Sequence, residues 1–123
     1  MEKLRIVEFY RKADGTKPVA EWLDSLDDEK AQAVAMGLKF FEEYPNVVVP
    51  KKLFEKVRGD IWEIKLHHGK EQFRLYGFLD RTLVIAAVGV EKKWQKARKA
   101  DLDLAEDRRR DHFARKKTPP NRA

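Results

Sequence analysis

The sequence contains no cysteine, which excludes disulfides, thiolate catalysis and cysteine-ligated zinc sites. Its three histidines, His67, His68 and His112, lack a spacing typical of metal ligands, although carboxylates alone could hold magnesium. The sequence also lacks a glycine-rich dinucleotide motif and a Walker motif. We therefore expect no metal and no small-molecule cofactor.

Other absences narrow the function further. The only serine, Ser25, has no glycines around it that would form a nucleophile elbow, so a Ser-His-Asp triad is not expected. No apolar run approaches the roughly 18 residues of a membrane span. The charged, strand-like N-terminus is unlike a signal peptide. These observations predict a cytoplasmic protein that does not associate with a membrane.

The net charge of +6 is distributed unevenly along the chain. Residues 1–50 carry seven Lys/Arg and ten Asp/Glu, a net charge of −3, whereas residues 51–123 carry twenty and eleven, a net charge of +9. A strongly basic half is typical of proteins that contact phosphates. Surface lysines are also common in proteins without such partners, so charge alone leaves both interpretations open.

The length of 123 residues suits one domain, which we place at residues 1–115, followed by a flexible basic tail at 116–123. The pattern predicts an α+β fold of order β-α-α-β-β-β-α: a small sheet with mainly antiparallel strands, two N-terminal helices packed on one face, and a C-terminal helix. The other face is expected to be partly open. The predicted elements are a strand at Leu4–Tyr10, helices from Pro18 and up to Tyr44, strands at Ile61–His67, Gln72–Leu79 and Leu83–Val90, and a helix from Ala97 to about Phe113.

Alternating side chains in the predicted strands separate a polar face of the sheet from an apolar one. Lys65 and His67 alternate with apolar residues in one strand, and Arg74 and Tyr76 do so in the next. The third strand is apolar nearly throughout, as expected for a central strand covered on both faces. A basic run, Glu91-Lys92-Lys93-Trp94-Gln95-Lys96, follows it.

Such a set of cations can bind a phosphodiester and can also cleave one. RNA supplies its own nucleophile, the 2′-hydroxyl, so an enzyme needs only to align that group, move protons and stabilise the phosphate oxygens. Lys92, Lys93 and Lys96 are close in sequence, and crowding by like charge lowers the pKa of a lysine. The chemistry predicted from these residues is therefore metal-independent.

Three segments, in order and at suitable spacing, resemble the RelE/HigB superfamily of bacterial toxins, in particular its phage-derived HigB-like branch. They are Gly59 to Leu66 (Gly-Asp-Ile-Trp-Glu-Ile-Lys-Leu), Gln72 to Leu75 (Gln-Phe-Arg-Leu), and Lys92 to Lys96 (Lys-Lys-Trp-Gln-Lys). The resemblance covers about residues 4 to 113. Departures from the family pattern are Lys65 in place of arginine, Trp94 and Ala97 in place of threonines, and Gly77 in place of a bulkier residue.

The resemblance implies a RelE-like fold and an endoribonuclease (an mRNA interferase, a hydrolase) that cleaves mRNA on the ribosome. It also implies a cognate antitoxin, of the helix-turn-helix, HigA-like type. The predicted catalytic residues are Arg74, Lys92, Lys93, Lys65 and His67, and the predicted RNA-binding residues are Lys96, Tyr76, Trp94, Lys56 and Arg58. For Tyr76 and Trp94, base stacking competes with an ordinary packing role.

Two other functions remain open at this point. One is a ParE-like toxin that binds gyrase and cleaves nothing itself. The other is a non-catalytic RNA- or protein-binding module of phage origin, which Lys65 in place of arginine favours because lysine lacks the bidentate phosphate geometry of arginine.

Overall fold

A computed structural model describes residues 4–93 and 96–117. The elements are β1 (Ile6–Phe9), α1 (Pro18–Ser25), α2 (Asp28–Glu43), β2 (Phe54–Arg58), β3 (Ile61–His68), β4 (Glu71–Asp80), β5 (Leu83–Lys92) and α3 (Lys99–Lys117). The strands form one sheet of order β1-β5-β4-β3-β2. β1 is parallel to β5, and every other pair is antiparallel.

The predicted α+β class and the mainly antiparallel sheet agree with this fold, but the predicted element order is wrong. It lacked β2, which pairs with β3 at the edge of the sheet. Two residues of the predicted tail, Lys116 and Lys117, belong to α3, and residues 118–123 lie outside the described part of the chain. None of the helices in residues 4–93 and 96–117 has the length and apolar character that a membrane crossing requires.

Local signals explain where the two N-terminal helices begin and end. Pro18 occupies the first turn of α1, where its missing amide proton costs no hydrogen bond. The Asp27 carboxylate caps α2 by accepting from the Lys30 amide at 2.8 Å. α2 ends at Glu43, because Tyr44 precedes Pro45 and is held out of helical geometry.

The first face of the sheet carries α1 and α2. Their buried residues Val19, Val34, Leu38 and Phe41 form one core with Ile64, Leu66, Phe73, Leu75, Val84 and Ala86 of the sheet. Trp22 of α1 lies directly over β5 at Gly89, where an added Cβ atom would come within 2.4 Å of the indole. Glycine at this position therefore lets the helix approach the strand closely.

The second face is covered by α3 at one end only, which agrees with the expectation of a partly open face. Leu102 and Ala105 of α3 are buried with Tyr76, Phe78 and Ile85 of the sheet. At the C-terminal part of α3, the Asp80 carboxylate contacts His112 Nε2 at 2.8 Å and Lys116 Nζ at 2.9 Å. These two partners hold the pKa of Asp80 below its ordinary value, so this end of α3 is anchored electrostatically.

A β-bulge interrupts the pairing of β4 with β5. Tyr76 pairs with Val88 and Gly77 pairs with Ala86, so Ala87 is an extra residue on β5. The carbonyl of Ala87 accepts a hydrogen bond from Arg108 Nη1 of α3 at 2.7 Å. Beside the bulge the backbones approach so closely that a Cβ atom on Gly77 would lie 1.9 Å from the Ile85 carbonyl oxygen.

Substitution of Gly77 should therefore disturb the bulge itself. We expect Gly77→Ala to lower the free energy of unfolding by about 2–4 kcal/mol, because the methyl group meets backbone that cannot move aside. Gly15→Ala is the matched control, since its Cβ would meet no atom of the described residues within 4 Å and only the positive φ of 93° is unfavourable. Urea denaturation measures both; an equal or smaller loss for Gly77→Ala would contradict this view of the bulge.

Candidate nucleic-acid interface

The candidate site is the end of the second face that lies beyond α3. Cross-strand pairing sets Lys65 of β3 opposite Arg74 of β4. In the next row, Gln72 of β4 is opposite both His67 of β3 and Lys92 of β5. Residues directly opposite each other share a face, so adjacent strands bring four of the five predicted catalytic residues onto one surface.

Arg74 lies on the predicted face, but it is only 8% exposed. Its Nη1 donates to the Phe73 carbonyl at 3.0 Å, and its Nη2 donates to Gln72 Oε1 at 2.8 Å. Its Nε lies 3.7 Å from Glu63 Oε2 and is buried without a hydrogen-bond partner in the described residues. The guanidinium is thus held in one orientation, beside a carboxylate that is itself 4% exposed.

Lys65 is also paired with acidic side chains. Its Nζ donates to Glu55 Oε1 at 2.5 Å and to the Lys51 carbonyl at 2.9 Å, and it lies 4.0 Å from Glu63 Oε1. The ammonium group lowers the pKa of Glu55. Two strand cations of the site are therefore compensated by two carboxylates on the same face.

Lys92 is half-buried and makes no ion pair within the described residues. Its pKa is lowered, first because burial disfavours the charged ammonium and then because Arg74 is positively charged. A lowered lysine pKa in the basic run was predicted, and Lys92 has it. The predicted cause was wrong, because the acting cations come from β3 and β4 and not from Lys93 and Lys96.

Lys93 and Lys96 are exposed beside this surface. Lys96, Lys92 and Arg98 line a small pocket of about 70 Å³, together with Tyr76 and Asp101. Trp94, predicted to contact RNA, lies outside the described residues. The described residues between β5 and α3 therefore add cations to the rim of the strand site.

The structure corrects the prediction for Tyr76. Its side chain is 1% exposed and packs with α3, so its ring is not available to stack on a base. Burial, followed by the nearby negative charge of Glu63, raises the pKa of its phenol well above the ordinary value. Tyr76 therefore remains protonated at neutral pH.

Two other predicted RNA-binding residues lie away from the site. Lys56 pairs with Trp62, which places it on the face of α1 and α2, opposite to that of Arg74. Arg58 forms an ion pair with Asp103 of α3 at 2.9 Å. The prediction of RNA contact did not include β2 and its bulge, which set the positions of these two residues.

His67 lies on the same face of the sheet as Lys65 and is exposed. A residue that exchanges protons with a substrate would need this exposure. Strand parity places Glu63 and Gln72 on the same face as the predicted cations, but the sequence assigned them no role. The other residues that compensate or extend the basic surface, Glu55, Arg98 and Asp101, were not predicted. Within the described residues, no group of three or more His, Asp or Glu side chains is arranged to hold a metal ion.

The charged residues around Lys92 allow a test of this geometry, because removing a positive or a negative neighbour should shift the pKa of Lys92 in opposite directions. Arg74→Gln should raise the pKa of Lys92, because it removes a positive charge, and Glu63→Gln should lower it further, because it removes a negative one. NMR titration of isotope-labelled lysine side chains measures both shifts. Arg98→Gln is the control, since Arg98 lines the same pocket without being among the main causes of the shift. Shifts of the same sign in the first two variants would contradict the described arrangement.

Comparison with known protein families identifies the family to which this chain belongs. Residues 21–110 match the family described as phage derived protein Gp49-like (DUF891). A search of curated proteins found no match. The matched segment begins within α1, includes α2 to β5 and most of α3, and therefore contains every described residue of the candidate surface. The chain belongs to the phage-derived Gp49-like family.

Proposed function

We propose that this protein is the toxin of a type II toxin–antitoxin pair and acts as a metal-independent endoribonuclease on mRNA. The observation that carries the proposal is the convergence of Lys65, Arg74 and Lys92 from three adjacent strands onto one face. Exposed lysines of the following loop extend the same surface. Membership of a phage-derived family is consistent with a toxin–antitoxin role.

In the proposed reaction, the 2′-oxygen attacks the adjacent phosphorus, and the bond from phosphorus to the 5′-oxygen breaks. The lowered pKa of Lys92 enlarges its neutral fraction, which accepts the proton of the 2′-hydroxyl. His67, exposed on the same face, donates a proton to the leaving 5′-oxygen. The products are a 2′,3′-cyclic phosphate and a 5′-hydroxyl.

Arg74 has an electrostatic role in this proposal. Its guanidinium is already oriented by Phe73 and Gln72, so it stabilises developing negative charge without having to reorganise. Lys93 and Lys96 bind the flanking phosphates from the rim. Both are exposed, so this contact should weaken as salt increases.

The proposed partners are mRNA on the ribosome, which helps to shape the substrate, and an antitoxin with a helix-turn-helix fold. A small exposed set of cations contacts only a short stretch of RNA, and the ribosome would supply the remaining alignment. The antitoxin would act by covering the basic surface or by keeping the toxin off the ribosome.

A second candidate, a binding module without catalysis, is favoured by one observation. Arg74 and Lys65 both lie against carboxylates, and Arg74 is nearly buried. A phosphate that approaches them must compete with Glu55 and Glu63. In this alternative, the exposed lysines bind RNA and no bond is broken.

Induction of single-charge variants in a bacterial host distinguishes the two candidates. The wild-type chain should stop growth and produce new RNA ends, and Lys92→Gln or Arg74→Gln should reduce cleavage by about a hundredfold or more. Lys39→Gln removes the same charge from α2, on the other side of the sheet, and should cleave like the wild type.

Purified variants should first be compared by circular dichroism, because Arg74→Gln leaves Glu63 with one cation fewer. Folded Lys92→Gln and Arg74→Gln proteins that still cleave RNA normally would overturn the assigned mechanism. RNA binding without cleavage by the wild type would select the binding module. Growth arrest with inhibited gyrase supercoiling and intact RNA would select the ParE-like alternative.

A further inference from the structure

The outer edge of β1 has no strand paired with it in the described part of the chain. Tyr10 N donates to the Ala86 carbonyl of β5, and in parallel pairing this directs the backbone groups of Glu8 and Tyr10 inward. The backbone groups of Val7 and Phe9 therefore point away from the sheet. The Val7 amide is already occupied, because it donates to Glu42 Oε2 at 2.7 Å.

The open part of this edge is thus centred on Phe9. No hydrogen bond to its amide or carbonyl occurs within the described residues. Such groups on an edge strand are the usual template for the addition of another strand. Because β1 is short and its Val7 amide already donates to Glu42, this edge can pair only with a short segment of a partner chain.

Two grooves of different chemistry lie on either side of the edge, and both include Val7 and Phe9. The groove on the side of α3, here called the basic groove, has a volume of about 630 Å³ and contains Arg11, Lys17, Arg115 and Lys116. The groove on the side of α2, here called the apolar groove, has a volume of about 330 Å³ and is lined mainly by apolar residues, among them Leu23, Ala35 and Leu38, together with Lys39 and Glu42. An added strand would project alternate side chains into each groove.

The charges of the basic groove specify the side chains that fit it. Arg115 and Lys116 are paired with Asp111 and Asp80. Arg11 and Lys17 are exposed and have no acidic partner within the described residues. Among the described residues that line the groove, Glu8 is the only acidic one. The groove therefore favours carboxylates from a partner.

We propose that the outer edge of β1 binds an extended segment of another polypeptide in which acidic and apolar residues alternate. The acidic side chains enter the basic groove, the apolar ones enter the apolar groove, and the backbone pairs with Phe9. A second copy of this chain fits less well, because its own Arg11 and Lys17 would be brought toward the same cations. The proposal does not depend on RNA cleavage, since it uses a different edge of the sheet.

The test uses the full isotope-labelled chain and a synthetic peptide of about eight residues in which Glu and Val alternate. A peptide of the same composition, with its Glu and Val residues in two blocks, is the control. The alternating peptide should shift the amide signals of β1 and of both grooves, and saturation should slow hydrogen exchange at the Phe9 amide about tenfold. The block peptide should bind at least about tenfold more weakly.

Charge reversal then tests the basic groove. The double variant Arg11→Glu, Lys17→Glu should weaken binding of the alternating peptide about tenfold. The double variant Lys12→Glu, Lys70→Glu has the same net charge but alters exposed residues that do not line the groove, so it should bind like the wild type.

Three results would overturn the proposal. The first is a set of shifts confined to the surface of Lys92 and Arg74, which would indicate nonspecific attraction of acidic peptide. The second is an equal response to the block peptide. The third is broadening of β1 signals with increasing protein concentration and no peptide, which would show that the edge pairs with a second copy.

Discussion

The β-bulge at Ala87 determines which charged residues share a surface in this protein. Before the bulge, Val84 and Ala86 of β5 face the core beneath α1 and α2. Strict alternation from these residues would place Lys92 on that same face. The extra residue reverses the parity, so that Lys92 is opposite Gln72 and on the same face as Arg74. The catalytic proposal thus depends on a single backbone irregularity.

Only some of the cations on this surface are balanced by carboxylates. Arg74 and Lys65 lie next to Glu63 and Glu55, whereas Lys92 and the loop lysines have no acidic partner within the described residues. Pairing makes it less costly to bury Arg74 in the sheet. It also leaves the unpaired cations at the rim, where a phosphate chain approaches first. The centre of the surface therefore holds cations whose charge is balanced by carboxylates, and unpaired cations surround it.

Sequence patterns predicted the three long strands well, because alternation and apolar runs are strong over Ile61–His68, Glu71–Asp80 and Leu83–Lys92. β2 was missed because it is short and its own bulge breaks the alternation. For the candidate site, strand parity predicted the shared face of Lys65, His67 and Arg74, but it could not show that α3 buries Tyr76. The apolar stripe of α3 is thin, so its contact with the second face was not evident from the sequence.

The chemistry of the RNA ends tests the central claim most directly. Wild-type protein should be incubated with translating ribosomes at free magnesium sufficient for ribosome integrity, and the ends formed on the mRNA should then be sequenced. Attack by the 2′-hydroxyl predicts a 2′,3′-cyclic phosphate on the upstream fragment and a 5′-hydroxyl on the downstream fragment. A 3′-hydroxyl with a 5′-phosphate would contradict the account, and so would intact mRNA.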